Sequence, residues 1–388
     1  MTEQTVGTRI ARLRVTVGMT GEQLGEALGL TKSQVSKVEN GSRKLDISEV
    51  ALAAETLGVS LAELLGVERK GNLALAARVM ATPAHDDTLA ARRRVRQVLE
   101  VEASLSDAMG LPSLTRSAAG MAVLDRLRAE GLPQTVTNVA GVRAAELVRE
   151  TLGLGRSAIA DLPALGERHF GVSTVVWPVG KGVSGLCAHG ADVALMLVSS
   201  SFPRGHQRFT GAHELAHHLL EDPREVIIEG DLYSISSPAE RRANAFAAAL
   251  LMPADGLRKV VAGRNVDEHV LAEVMREFNV SYRALLFRLA DRPVAAITTA
   301  VRDTWLNNTP TSVLRAAGET NPAELTSPDE ARRIPARLAA AAQDGYRSGR
   351  VGLGVLAALH DQDADTLYAT LAAADIRPPT MQDDLADL

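Results

Sequence analysis

Cysteine is almost absent: Cys187 is the single example in 388 residues. A disulfide framework and a cysteine-rich zinc finger are both excluded. Aromatics make up only 3%, too few for stacking platforms to dominate contacts with single-stranded nucleic acid. An excess of positive charge is also missing. Lys plus Arg is 42 and Asp plus Glu is 47, a net charge of −5, so any nucleic-acid contact is confined to a local patch. No apolar run approaches the roughly 18 residues of a membrane span. The opening Met-Thr-Glu-Gln-Thr-Val lacks the basic and apolar regions of a signal peptide. The expectation is a cytoplasmic protein with no membrane partner. Hydrophobic residues at 46% and charged residues at 23% suit a globular chain with a real core. The length suggests two or three domains at about 150 residues each.

The first 66 residues read as five short helices. An apolar stripe at Ile10, Leu13 and Val17 marks the first. Thr20 with Gln23 spells a capping box for the second, which runs to Leu28 and ends at Gly29. Thr31 caps a third, Lys32–Glu39, and two more follow over 47–57 and 60–65. A capped helix, a short glycine turn and a second capped helix make a helix-turn-helix. The second helix offers Lys32, Ser33, Gln34, Ser36 and Lys37 to base edges, while Val35 and Val38 face inward. Gln23 joins them as a DNA-contact candidate, and Asn40 and Arg43 sit where phosphates would run. The same pattern is also that of a plain five-helix bundle with a solvated polar face.

His213-Glu214-Leu215-Ala216-His217 carries the sharpest chemistry. Two histidines four apart on a helix point at one ion. Glu214, one residue on, falls beside that ion and can take a proton from water there. Such a motif also occurs in helices that bind nothing. A third ligand is available in Glu240, near the start of a helix that Pro238 opens and Pro253 closes. Asn244, one turn beyond Glu240, can hydrogen-bond a metal-bound histidine. Arg204, His206, Arg208 and Tyr233 flank the motif as oxyanion candidates or as ordinary structural residues. Cys187 reads as a buried apolar residue, with a thiolate switch as the alternative.

Two family resemblances rest on these residues. Gln23-Leu24, Leu30-Thr31, Val35-Ser36-Lys37-Val38-Glu39-Asn40-Gly41 and the run Leu57 to Leu65 closely resemble the Xre-type domain of phage repressors over residues 8–66. That resemblance implies Lys32, Ser33 and Lys37 facing the bases and homodimers on a palindromic double-stranded operator. The run Arg208 to His217 followed by Glu240 to Pro253 is similar to the ImmA/IrrE metallopeptidases over residues 139–290. It implies one Zn²⁺ per chain on His213, His217 and Glu240, with Glu214 as catalytic general base. It also implies a repressor-type protein as substrate; with both motifs on one chain, this chain's own linker is a second candidate. The alternative is a non-enzymatic repressor whose metallopeptidase fold serves as sensor or scaffold.

The expected architecture is mainly α with a small β-sheet. The five-helix Xre-type domain occupies residues 1–68 and a helical linker 69–138. A zincin-like core follows over 139–295, and a helical C-terminal region over 296–388. Strand signals run from roughly Val139 to Ser200, notably at 171–177 and 193–198, separated by glycine-rich turns at 180–185 and 190. The linker's basic run, Arg92 to Arg96, is read as a solvated helix face or as a contact with flanking DNA. The C-terminal helices are read as a dimerisation or sensing module or as further packing.

Overall fold

A computed structural model describes residues 5–16, 18–57, 64–65, 74–79, 85–189, 194–222, 237–292 and 294–378. The chain is mainly α-helical with one small sheet, as expected. Its N-terminal helices are α1 (Val6–Thr16), α2 (Gly21–Leu28), α3 (Lys32–Glu39) and α4 (Ile47–Thr56). The Thr20–Gln23 capping box forms, and Thr31 makes a second one with Gln34: each threonine accepts from the third helical N–H, and each glutamine returns the bond to the cap. The turn between α2 and α3 is tight because Gly25 has no Cβ, which would overlap the Leu30 carbonyl. Ile10, Leu24, Val35, Val38 and Leu57 fill the core of this unit. Of the expected fifth helix, residues 60–63 lie outside the described residues, while Leu64 and Leu65 are helical.

The next elements are β1 (Ala74–Val79), α5 (His85–Met109), α6 (Ala118–Ala129), α7 (Asn138–Thr151) and α8 (Leu162–Leu165). Strands β2 (Val172–Trp177), β3 (Val183–His189) and β4 (Ala194–Ser199) complete the sheet, whose order is β1-β3-β4-β2. β2 runs parallel to β4, and β3 is antiparallel to both β4 and β1. Beyond it come α9 (Arg204–Leu219), α10 (Pro238–Leu251), α11 (Ala254–Val261), α12 (Glu268–Phe278) and α13 (Tyr282–Ala290). The remainder is α14 (Thr299–Trp305), α15 (Pro310–Ala316), α16 (Ala323–Thr326), α17 (Ala336–Arg347), α18 (Leu353–His360) and α19 (Ala364–Ala373).

Helices cover both faces of the sheet, and the period-2 alternation of the strands divides the side chains between them. Met196 and Val198 join α6, α7, α9 and α10 in one core. Leu195 and Leu197 join α5 and the helices α17 to α19 in the other. Packing therefore runs across the expected divisions at 138/139 and 295/296: Leu124 and Leu127 of α6 and Leu314 of α15 belong to the first core.

The structure corrects four readings. The linker is not wholly helical, because Ala74–Val79 forms β1; pairing with β3 overrides the helix propensity of its alanines. The region after residue 139 opens with the helix α7, whose Ala140, Ala144, Leu147 and Val148 are buried at helical spacing. The glycine-rich stretch 180–185 is not all turn, since β3 begins at Val183. Arg92 and Arg94 form neither a solvated face nor a DNA contact: both are buried. Arg94 donates to the carbonyls of Ala358 (3.1 Å) and Leu359 (2.6 Å), and its guanidinium lies 3.6 Å from the centre of the Trp177 ring. It ties α18 to the sheet. Arg94→Ala should destabilise the domain by about 2–3 kcal/mol through orphaned carbonyls and lost cation–π contact. Urea unfolding followed by tryptophan fluorescence measures this.

Candidate metal centre

The site forms where α9 packs against α10. Pro203 precedes the first residue of α9, and Ser237 caps α10 with Pro238 at its first position. Ser237 Oγ accepts the Glu240 N–H at 3.3 Å. Ser-x-x-Glu is the spelling of a capping box, yet here the glutamate side chain turns to the histidines of α9. Gly141 of α7 lets α10 approach closely, because a Cβ there would overlap the Arg242 carbonyl.

The structure brings His213, His217 and Glu240 together, with one donor atom from each within 4.8 Å of the others. The two Nε2 atoms are 2.8 Å apart. Glu240 reaches His213 Nε2 at 3.0 Å and His217 Nε2 at 3.1 Å. His213 is fully buried, Glu214 and Glu240 nearly so, and the His217 side chain is 21% exposed. The cluster thus opens to solvent at His217.

The back of each ring is fixed. His213 Nδ1 lies 2.8 Å from Asn244 Oδ1, the partner expected of Asn244. His217 Nδ1 lies 2.8 Å from Asp222 Oδ2, whose other oxygen accepts from Arg242. Arg242, fully buried, also donates to the carbonyls of Leu132, Pro133 and Thr135 at 2.9–3.1 Å. Asp222, which already accepts from Arg242, also accepts from the Nδ1 N–H of His217, so the Nε2 of that ring is the atom turned to the cluster. Glu221, with φ 53°, turns the chain after α9 so that Asp222 comes back to His217. Asp222 and Arg242 were not anticipated from the sequence.

Two nitrogen lone pairs and a carboxylate oxygen aimed at one point are mutually repulsive unless a cation or a proton lies among them. A second proton on His217, at Nε2, can play that part in place of a cation. Burial works against charge on His217, but Asp222 and Glu240 beside it raise the ring's pKa to about 9. Burial would raise the Glu240 carboxyl, yet the two imidazoles hold it well below the usual carboxylate range. The donor set, two imidazoles and one carboxylate with a side open to solvent, fits a catalytic zinc ion.

The other candidates fall as follows. Glu214 lies beneath β3, where a Cβ on Gly185 would stand 3.5 Å from Glu214 Cγ. His206 Nε2 is 3.4 Å from Ser184 Oγ, and its ring stacks on Phe202. Arg208 is committed to the Ile159 carbonyl at 2.6 Å. Tyr233 lies outside the described residues. Cys187 is buried in β3. On the N-terminal unit, Gln23, Lys32, Ser33, Ser36, Lys37 and Asn40 are exposed, whereas Gln34 and Arg43 are half-buried. Lys32 pairs with Glu22 at 3.0 Å, and Arg43 with Glu49 at 2.6 Å. Gln23 and Gln34 also hold their helix caps.

A capped helix-turn-helix and a helix pair that gathers two histidines and a glutamate define a chain built from two kinds of unit. Residues 10–64 match the helix-turn-helix family, and residues 168–290 match the IrrE N-terminal-like domain family. The two matches give the chain a helix-turn-helix domain at its N-terminal end and an IrrE N-terminal-like domain around the His213–Glu240 site. It is similar to the radiation response metalloprotease IrrE of Deinococcus deserti, with 30% identity over 137 residues. That match covers 34% of this chain and 47% of the relative, so the chain spans about half the length of that protein. No helix among the described residues is long and apolar enough to cross a membrane.

Two outcomes follow for ion binding. At neutral pH an incoming ion must displace the proton on His217, so one proton leaves for each ion bound. Apparent zinc affinity should rise about tenfold per pH unit and level off near the His217 pKa of about 9. A chelator-competition titration from pH 6 to 10 reads this slope. Asp222→Asn, which loosens the imidazole, should weaken zinc binding by about 10–100-fold in the same titration.

Proposed function

We propose that this protein is a DNA-binding transcriptional regulator whose second domain is a zinc-dependent endopeptidase. The observation that carries the reading is the gathering of His213, His217 and Glu240 beside Glu214, on a chain that also holds a helix-turn-helix. His213, His217 and Glu240 would hold one zinc ion. When bound, the ion polarises a peptide carbonyl and acidifies water. Glu214 takes the proton from the attacking water and passes it to the leaving nitrogen as the C–N bond breaks. Asn244 and Asp222 keep the two imidazoles oriented throughout. The substrate is a repressor-type protein, or this chain's own connector, whose cleavage would separate the DNA reader from the peptidase.

The reader is α3, with Lys32, Ser33, Ser36 and Lys37 toward base edges and Asn40 and Arg43 toward phosphates. The N-terminal 66 residues hold seven basic and eight acidic side chains, so binding relies on two copies reading a palindrome. Lys37→Ala should weaken binding to a duplex selected from a random pool by about 1–3 kcal/mol. Fluorescence anisotropy at several salt concentrations measures it. Unchanged affinity would remove Lys37 from the interface.

Metal content by mass spectrometry tests the peptidase reading. One zinc per chain is expected in the wild type and none in His217→Ala or Glu240→Ala. Glu214→Gln should keep its zinc and lose cleavage of the chain or its substrate by at least about 100-fold. A wild type that purifies without metal yet folds and binds DNA would contradict the proposal.

A further inference from the structure

A peptidase needs an extended peptide alongside its general base, and the sheet has one edge placed to hold it. β3 crosses α9 closely enough that a Cβ on Gly185 would stand 2.6 Å from Thr210 Cγ2 and 3.5 Å from Glu214 Cγ. One side of β3 is bonded to β4, and the other is taken by β1. β1 comes from the connector that follows the helix-turn-helix. Its register runs from Ala74 opposite His189 to Val79 opposite Val183, with Arg78 opposite Gly185. The strand that covers this edge therefore places its own backbone across from the glycine lying over Glu214.

Two further features mark the position. The register slips between Arg78 and Val79, leaving Ser184 as the extra residue on β3. Ser184 is also the residue whose hydroxyl lies 3.4 Å from His206 Nε2 on α9. Such a bulge interrupts the ladder and weakens pairing locally. Just beyond β1, Asp87 at the start of α5 accepts the Gly182 N–H at 2.6 Å. That bond moors the connector beside the first residues of β3.

We propose that connector strand 74–79 is a resident occupant in cis of the outer edge of β3, the edge beside which a peptidase of this kind would hold its substrate. The proposal rests on the peptidase reading above. A substrate then pairs with β3 only after β1 has left, and it takes β1's place as an added antiparallel strand. What this edge offers is backbone pairing to an extended segment, of which residues 74–79 are the example on the chain. A tethered strand acts at an effective concentration on the order of mM, so a free peptide of the same sequence competes poorly while β1 is intact. Because the connector leads directly to the DNA reader, release of β1 couples the state of the reader to access to the site.

The single cysteine provides the test. Ala76 lies opposite Cys187 in the register. In the full chain, Ala76→Cys should form a disulfide with Cys187 under mild oxidation. Ala77→Cys, paired with Leu186 rather than Cys187 in the register, should not. Peptide mapping by mass spectrometry reads both. A fluorescein-labelled peptide spanning residues 73–80 should bind Ala76→Pro at least tenfold more tightly than wild type, because proline removes a strand N–H. The oxidised Ala76→Cys chain should not bind the peptide, and reductant should restore wild-type binding. Absence of the crosslink, or peptide binding that ignores it, would overturn the proposal. Neither measurement needs zinc or cleavage. A crosslinked, peptide-excluding protein without metal would sink the peptidase reading alone, and a zinc-loaded active one without the crosslink would sink this inference alone.

Discussion

Two imidazole Nε2 atoms 2.8 Å apart, both facing one buried carboxylate, are the constraint on which the rest of the structure depends. Electron-pair donors do not converge in a buried site unless something positive joins them. Holding them there needs two helices at close range and rigid partners behind each ring. Gly141 of α7 lets α10, the helix that carries Glu240, seat closely in the core. Asn244, Asp222 and Arg242 supply the rigidity, and Arg242 anchors the set to the carbonyls ahead of α7.

That arrangement also explains the placing of the sheet. β3 must pass over α9 close enough to border the site, and Gly185 removes the Cβ that would strike Thr210. The strand edge so positioned is an unsatisfied row of backbone groups unless something pairs with it. The connector supplies that pair through β1, so the segment that follows the helix-turn-helix pairs with the strand lying over Glu214. The C-terminal helices serve a different end. They bury the far face of the sheet together with α5, with Arg94 bridging Trp177 and α18.

Local signals were legible wherever one element carried them. The paired Thr–Gln caps marked α2 and α3. The four-residue spacing of His213 and His217 put both on one face, and the helical turn from Glu240 to Asn244 placed a partner for an imidazole. What escaped was set by tertiary contact. Asp222 follows α9 in a turn that only the left-handed Glu221 closes, so no periodicity announces it. Arg94 read as one more residue of a basic run, and nothing singled out Arg242 on α10, because burial of a guanidinium depends on carbonyls far away in the chain. β1 and β3 were hidden by composition: an alanine-rich segment has helix propensity, and a glycine-rich one reads as turn until a helix packs beneath it.

The central claim is that these three side chains, and no sulfur, hold a zinc ion. X-ray absorption at the zinc edge of the full-length protein tests it most directly. The account predicts two imidazoles with oxygen ligands, all at about 2.0–2.2 Å. A sulfur shell at about 2.3 Å would contradict it by pointing to Cys187, and a spectrum without imidazole scattering would place the ion elsewhere on the chain.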